Sequence, residues 1–485
     1  MSTFKSFFKD TAIYGVASVL PRVITVGLVA IHTKVFGTEE FSSMTTWYVY
    51  AAFINIILTL GLETSFFRFY TSETDKSKVI STSFTILLFS SFIFLIIGYS
   101  FSGSLSTFFG FSDKRFLSIL LWTTVLDTLA VIPFSYLRVI NKSLRFLLVK
   151  TANIFILAFF TFLFLIWIPK YFMSSLPSLE SVGLYIADYK PQVIHIFIAN
   201  ALASLLTLII LIPELRKMSL RIDTEIFTRM MHYGIPVMIG GIAYVINENM
   251  DKLMIPVLID EHANGIYAAC YKLGVFMTLY ITAFRMGAEP FFFNNAHLAD
   301  AKQKYSKIMT GFVAFGSIFM LLVLVFVDLL ASIFLRQKVY MDGLYIVPII
   351  LLANLFSGIY SNLAVWYKLT DKTKFGMYIS IFGGVLTVAS LFALIPLLGI
   401  LGAAYATLFT YFSMALISWY FGKKYYAIPY EIPKVTVILA ASVIISQLSF
   451  YVFRGNYAVN ILLVLAYISF LWAMLKKDIR MALKG

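Results

Sequence analysis

The chain has 485 residues, 60% of them hydrophobic and 13% charged, with 38 Lys and Arg against 24 Asp and Glu for a net charge of +14. A mean hydropathy of +0.88 excludes a soluble globular protein, because a chain of this length cannot keep so much apolar surface from water. A single cysteine, Cys270, excludes an intrachain disulfide and a cysteine metal cluster, and its apolar neighbours predict a packed thiol.

A helix needs about 20 mostly apolar residues to cross a bilayer. Such runs are predicted near 12–36, 43–62, 79–101, 116–138, 147–169, 193–213 and 233–258. They continue near 264–291, 306–333, 343–366, 375–397, 399–421, 434–453 and 457–475. That makes fourteen helical spans, too long and continuous for the strands of a barrel. The first run has Pro21 and Arg22 and no small-residue cleavage pattern, so it is expected to stay as an anchor.

Charges inside spans are costly and mark cavities or partners. In span 1, Ser18, Arg22, Thr25 and His32 fall on one helical face. Arg22 is either a fixed cation in an aqueous cavity or the partner of an acid on a neighbouring span. Asp127, mid-span in span 4, either pairs with Arg22 or takes up a proton. Span 6 aligns Asn200, Ser204 and Thr207, and span 10 aligns Asn354, Ser357 and Ser361, as helix–helix contacts often do. Span 7 holds the densest polar cluster, with Asn247, Glu248, Asn249, Asp251 and Lys252. Span 8 adds Lys272 at similar depth and Arg285 nearer one end, so an Asp251–Lys272 pair is expected if these charges neutralise one another. Glu63 and Glu289 occupy matching places in spans 2 and 8, which argues for the same structural role twice.

Lys and Arg fall on alternate loops, roughly 26 against 8, with four inside spans. This asymmetry places both termini in the cytoplasm and absorbs the positive excess, which makes nucleic-acid binding unnecessary to explain it. The basic loops suit anionic lipid headgroups.

The chain repeats itself. Tyr14-Gly15 returns as Tyr233-Gly234, Gly61-Leu62-Glu63 as Gly287-Ala288-Glu289, and Arg138 to Ser143 as Lys368 to Thr373. The offsets of 219, 226 and 230 residues correspond to six spans, so both halves share one orientation. The expected organisation is an N-terminal lobe over 1–213 and an amphipathic cytoplasmic linker over 214–232. A C-terminal lobe over 233–424 follows, then an appended pair of spans with a basic tail over 425–485. No nucleophile elbow, zinc-binding helix, phosphate loop or Cys/His metal spacing occurs. No catalytic residue, metal or enzymatic activity is expected, and the outer loop near 171–192 is too short for a catalytic domain.

Several motifs carry a family resemblance over almost the whole chain. They are Tyr233-Gly234-Ile235-Pro236, Asp251-Lys252 with Gly265-Ile266-Tyr267 and Ala269-Cys270-Tyr271-Lys272, then Trp366 to Thr373, then Gly399 to Ala404. Their order resembles the bacterial polysaccharide exporters of the multidrug/oligosaccharidyl-lipid/polysaccharide superfamily, which are oligosaccharide-lipid flippases. The resemblance implies an all-α membrane protein with two pseudo-symmetric six-helix lobes in a V around a central cavity, plus two C-terminal helices, working by alternating access. It implies an undecaprenyl-pyrophosphate-linked oligosaccharide as cargo, moved between leaflets of the bacterial inner membrane, with other polysaccharide-assembly proteins as partners. Arg22 matches in kind the cavity arginine of such flippases, and Lys252, Lys272 and Arg285 join it as substrate-binding candidates. Asp127, Glu248 and Asp251 are the candidates for coupling to Na+ or H+, with no other cofactor. Lipid-II flippases carry more intramembrane arginines than this chain, which argues against a peptidoglycan substrate. Two alternatives stand beside the flippase reading: a cation-coupled multidrug or metabolite exporter, and a non-transporting scaffold of a glycan-assembly complex.

Overall fold

A computed structural model describes residues 2–111, 113–172, 189–370 and 372–482, with side chains from residue 15 except those of 18, 171, 172, 294 and 477–482. The Ser18 side chain, most of the expected outer loop over 171–192, and Asp371 of the repeated motif lie outside what it describes. Among the described residues there is no strand, and fourteen helices are long and apolar enough to cross a membrane. These are the fourteen spans expected from hydropathy.

Two compact units divide the chain, Met1–Val245 and Ile246–Gly485. The first contains α1 (Ser2–Val35), α2 (Thr38–Thr59), α3 (Leu62–Ser72), α4 (Lys76–Ser100), the short α5 (Ser102–Phe108), and α6 (Lys114–Val139). It continues with α7 (Ser143–Phe162), which loosens into a π-helical stretch over Leu163–Phe172, then α8 (Val193–Ile210) and the single turn α9 (Ile212–Leu215). Helix α10 (Thr224–Leu258) begins in the first unit and ends in the second.

Local chemistry sets the helix starts. Asp75 accepts from the backbone N–H of Ser77 and Lys78, and Asp113 from that of Arg115, so two aspartates fill the orphan donors at the starts of α4 and α6. α2 ends differently: Leu60 and Gly61 both take left-handed backbone angles, with φ of 51° and 67°, and the chain restarts as α3. Gly61 is required there by space as well as by angle, because a Cβ would lie 2.2 Å from the carbonyl oxygen of Gly234 on α10. The hydroxyl of Ser65 donates to the Met230 carbonyl at 3.1 Å across the same contact.

Helix α6 packs on α2, α3, α4 and α8, while α7 lies between α1 and α8. The membrane-embedded contacts use both rings and polar groups. Trp47 stacks on Phe197 with centroids 4.1 Å apart, and Asn200 donates to Tyr48 at 2.6 Å. In the apolar interior such bonds tie helices together where the hydrophobic effect does not.

The segment after α9 differs from the expected free linker helix. Residues 216–223 belong to no helix, and α10 starts at Thr224, nine residues before the expected opening of span 7. Met218, Ile226 and Met230 are buried in one cluster with Leu62, Phe66, Val79 and Leu87, so the apolar face expected to meet lipid is covered by protein. Polar contacts fix the same segment: Ser219 bonds Ser81 at 2.7 Å, and the Asp223 N–H donates to Thr82 at 3.0 Å. Lys78 pairs with Asp223 at 2.9 Å, and its hydrogen bond, with that of the Ile226 N–H, holds the Asp223 carboxyl below its ordinary value.

The second unit holds the rest of α10, α11 (Glu261–Tyr271), a 3₁₀ turn over Lys272–Gly274, α12 (Val275–Asn294), α13 (Ala301–Val325) and α14 (Val327–Phe334). After a 3₁₀ stretch over Lys338–Ile346 come α15 (Val347–Leu363), α16 (Val365–Leu369), α17 (Lys374–Leu398) and α18 (Ile400–Tyr425). The core lies where α15 and α17 meet α18. Ala353, Ala403, Ala404 and Ala406 are fully buried there, small enough for the backbones to approach closely. Cys270 is the packed thiol its neighbours predicted: it is fully buried and donates to the Tyr340 carbonyl at 3.1 Å.

The two additional spans, α19 (Ile432–Gln447) and α20 (Tyr457–Ala482), pack on α13. Ion pairs pin the start of α19 and the connection between the two helices. Arg454 holds Asp328 through two nitrogens, at 3.1 and 2.7 Å. Glu431 accepts from Lys434 at 2.7 Å, Thr310 at 3.0 Å and Lys307 at 3.2 Å. Burial alone would raise the Glu431 carboxyl; these three donors outweigh it and hold the group below its ordinary value.

Candidate functional site

The seven candidate residues resolve into separate environments. In the second unit, Asp251 pairs with its neighbour Lys252 at 2.8 Å, and both side chains are almost fully buried. The second carboxylate oxygen of Asp251 accepts from the Tyr267 hydroxyl at 2.6 Å. The Lys252 ammonium also donates to the Glu248 carbonyl at 3.0 Å and lies 3.7 Å from the Tyr271 ring centroid. A buried charge pair needs this kind of complete solvation by protein groups. The expected Asp251–Lys272 pair does not form, because Lys252 reaches the carboxylate from one residue away. Lys252 is therefore sealed inside an internal network and is not presented to a ligand in this structure.

Lys272 sits at the start of the 3₁₀ turn between α11 and α12 and is half-buried. Among the described residues no ion pair engages its ammonium. Glu248 accepts from the Tyr411 hydroxyl of α18. Beside it, Asn247 accepts from Thr387 at 3.2 Å, and its amide donates to the Ser380 carbonyl at 3.3 Å. Arg285 donates to Glu289 at 3.2 Å, four residues on, and Lys368 meets the same carboxylate oxygen at 2.7 Å.

In the first unit Arg22 is exposed on α1 and Thr25 is exposed one turn on, whereas His32 is buried. The polar face read from span 1 is thus continuous in angle but not in burial.

Asp127 points into a cavity of about 320 Å³ enclosed by α3, α6, α7 and α8. Its Oδ1 accepts from Ser204 at 2.6 Å. The same cavity is lined by Glu63, Arg138, Lys150, Asn153 and Thr207. Glu63 and Arg138 pair at 2.9 Å, the counterpart of Glu289 and Lys368 in the second unit. The repeated glutamates therefore hold the repeated basic residues, a pairing that the structure adds to the shared structural role expected of them. Besides Arg138, which Glu63 holds, the cavity's lining has a second positively charged group, Lys150, whose ammonium lies 4.3 Å from the Phe134 ring centroid. Lys150 falls three residues inside the expected start of span 5, where hydropathy alone does not separate loop from membrane. Asn153, one turn further, donates to Thr207 at 2.9 Å. The polar stripes on spans 6 and 10 bond neighbouring helices, with Ser204 on Asp127 and Asn354 on the Gly274 carbonyl at 3.1 Å. No cluster of three or more metal-binding side chains occurs among the described residues.

Comparison with known proteins gives the arrangement a lineage. No curated protein matches the sequence. Among solved structures, the chain is similar to a lipid II flippase, MurJ, in an inward closed conformation: TM-score 0.70 at 17% identity, over 96% of this chain and 100% of that one. It is also similar to an inward-facing multidrug resistance MATE transporter of the MOP superfamily, with TM-score 0.65 at 12% identity over 83% of this chain and 93% of that one. A MATE multidrug transporter, DinF-BH, gives TM-score 0.59 at 13% identity over 86% of this chain and 96% of that one. These likenesses establish the transporter fold. A family model described as polysaccharide biosynthesis protein matches residues 7–296, more than half of the chain, and the chain belongs to that family.

Proposed function

We propose that this protein is a flippase that moves an undecaprenyl-pyrophosphate-linked oligosaccharide from the inner to the outer leaflet of a bacterial cytoplasmic membrane, for surface polysaccharide. The observation that carries the reading is the family match on a flippase-type fold. Physical chemistry supports it. A pyrophosphate cannot cross hydrocarbon bare, and Arg or Lys can hold it through charge-assisted hydrogen bonds. The basic side chains that are candidates for that role are Arg22, exposed on α1, within the first unit and Lys272 and Arg285 within the second, each unit taken by itself. Lys252 is assigned instead to the stability of its network. The excess of basic residues on alternate loops orients both termini to the cytoplasm, the side on which the cargo is built.

A second reading, a cation-coupled exporter of small molecules, is favoured by the likeness to multidrug transporters and by Asp127. The test is the pool of undecaprenyl-linked oligosaccharides after depletion of the protein, followed by mass spectrometry of extracted lipids. The flippase reading expects one intact species to accumulate, shielded from enzymes added outside. An unchanged pool with new drug sensitivity would replace it by the second reading.

A further inference from the structure

The first unit has a charged cavity much larger than the charged space at the corresponding place of the second. The space beside Glu63 and Arg138 measures about 320 Å³; that beside Glu289 and Lys368 measures about 10 Å³. The ion pair near each is common to both units and belongs to the duplicated scaffold. The deeper charges do not. Carrying the offset of 230 residues along the chain places Ser357 opposite Asp127 and Ser380 opposite Lys150. A carboxylate and an ammonium inside a membrane span are costly, and helix packing in the sister unit manages without them.

Nor are the two charges a packing pair. Asp251 and Lys252 show such a pair in this same protein, in contact at 2.8 Å and sealed from solvent. Among the described residues, Asp127 has one hydrogen-bond partner, Ser204 on its Oδ1, and no ion pair or hydrogen bond engages Lys150, which rests over Phe134. Asp127 is open to the cavity. The two groups therefore share a space that water can fill without neutralising one another by contact.

The chemistry of the lining selects the occupant. A sugar ring would stack on an aromatic face, and the Lys150 ammonium covers that of Phe134. A metal cation would need several oxygen ligands at once. Thr207 Oγ1 is already engaged, donating to Ala203 and accepting from Asn153. A proton needs one carboxylate oxygen and a water path.

We propose that Asp127 is a proton-exchange site whose built-in counter-charge is Lys150, so that the ion handled by the first unit is the proton and not sodium. A hydronium ion in the cavity transfers its proton to Oδ2, leaving water and a neutral carboxylic acid; the reverse step returns the proton to water, and no electron moves. Glu63 of α3, Arg138 of α6 and Lys150 of α7 are the charged groups around Asp127, and α8 contributes the hydroxyls of Ser204 and Thr207. Of the helices packed behind these, α7 also carries Arg145, held by Glu214 and the Ile210 carbonyl. α4 carries Lys78, held by Asp223, and α1 carries Arg22. Helix α2 carries Glu39 and Glu40 in its first turn. This deepens the export reading by naming the ion, and it applies to a transporter of any cargo.

The test is pH-difference infrared spectroscopy of the purified full-length protein in lipid nanodiscs, with protons as the probe and either sodium chloride or choline chloride as the salt. A carboxylic-acid C=O band is expected in the native protein and absent in Asp127→Asn, with the same midpoint in both salts. Lys150→Gln should move that midpoint by about one pH unit, the size expected on removing a nearby opposite charge, and Lys150→Arg should restore it. Identical bands in the native protein and Asp127→Asn would overturn the proposal, as would a midpoint that shifts with sodium. A midpoint unmoved in Lys150→Gln would remove Lys150 from it. If Asp127→Asn fails to fold, the sodium series on the native protein and the Lys150 variants still decide. The titration needs no glycan, so its failure is distinguishable from failure of the lipid-pool test.

Discussion

Replacing Gly61 by alanine tests the contact that joins the α2–α3 break to α10. The left-handed φ of 67° costs an alanine about 1–2 kcal/mol. The added Cβ would also lie 2.2 Å from the Gly234 oxygen and 2.9 Å from its carbonyl carbon. Those are backbone atoms in the middle of a helix wall, so no rotamer change relieves the clash and α10 must shift. Overpacking of this kind costs about 1–3 kcal/mol, for a total of about 2–5 kcal/mol. Two controls separate the terms. Gly110 has φ of 71° with nothing within 4 Å of a Cβ, so Gly110→Ala should lose only the about 1–2 kcal/mol of backbone strain. Gly27 lies within α1 with nothing within 4 Å, so Gly27→Ala should be neutral or gain up to about 1 kcal/mol. Thermal unfolding of the purified proteins in one detergent should rank Gly27→Ala at or above native, then Gly110→Ala, then Gly61→Ala. Equal losses for Gly61→Ala and Gly110→Ala would refute the close approach of α10.

Three further outcomes are expected. Asp251→Asn and Lys252→Met each leave a buried charge without its partner and should each cost about 3–5 kcal/mol; the double variant should cost less than their sum, and strictly additive losses in a thermal double-mutant cycle would show that the pair is not coupled. Glu431, whose carboxyl is held below its ordinary 4.5, contributes stability that is fully present above that value and lost as pH falls through the lower folded-state value. The native protein should therefore lose melting temperature more steeply than Glu431→Gln below about pH 4.5, and parallel curves would show that the three donors do not act on it. Arg138 and Glu63 are each roughly half exposed, so Arg138→Ala should change stability by less than about 1 kcal/mol, and a several-fold larger loss would mean that this pair anchors the lobe.

Fourteen spans, the six-span repeat and the matched glutamates were legible in the sequence, because they rest on properties the chain carries locally. Apolar run length sets what can cross a bilayer, and repeated motifs in order record a duplication. The repetition marked Glu63 and Glu289 as alike; that each holds the recurring basic residue, Arg138 or Lys368, is seen only in the structure. Which charge meets which inside the membrane was not local information. Asp251 pairs with Lys252 rather than Lys272, because a lysine one residue away reaches a carboxylate that a helix turn keeps from the other. Asp127 shares its space with Lys150 rather than pairing with Arg22, because α7 packs between α1 and α8 and carries its lysine into the lobe. Loop or membrane is a boundary question of a few residues for Lys150, and hydropathy does not resolve it. The same holds for residues 214–232, whose apolar face suits a lipid interface and a protein cluster equally well; only the tertiary structure, by placing Leu62, Phe66 and Val79 against it, decided that protein covers it.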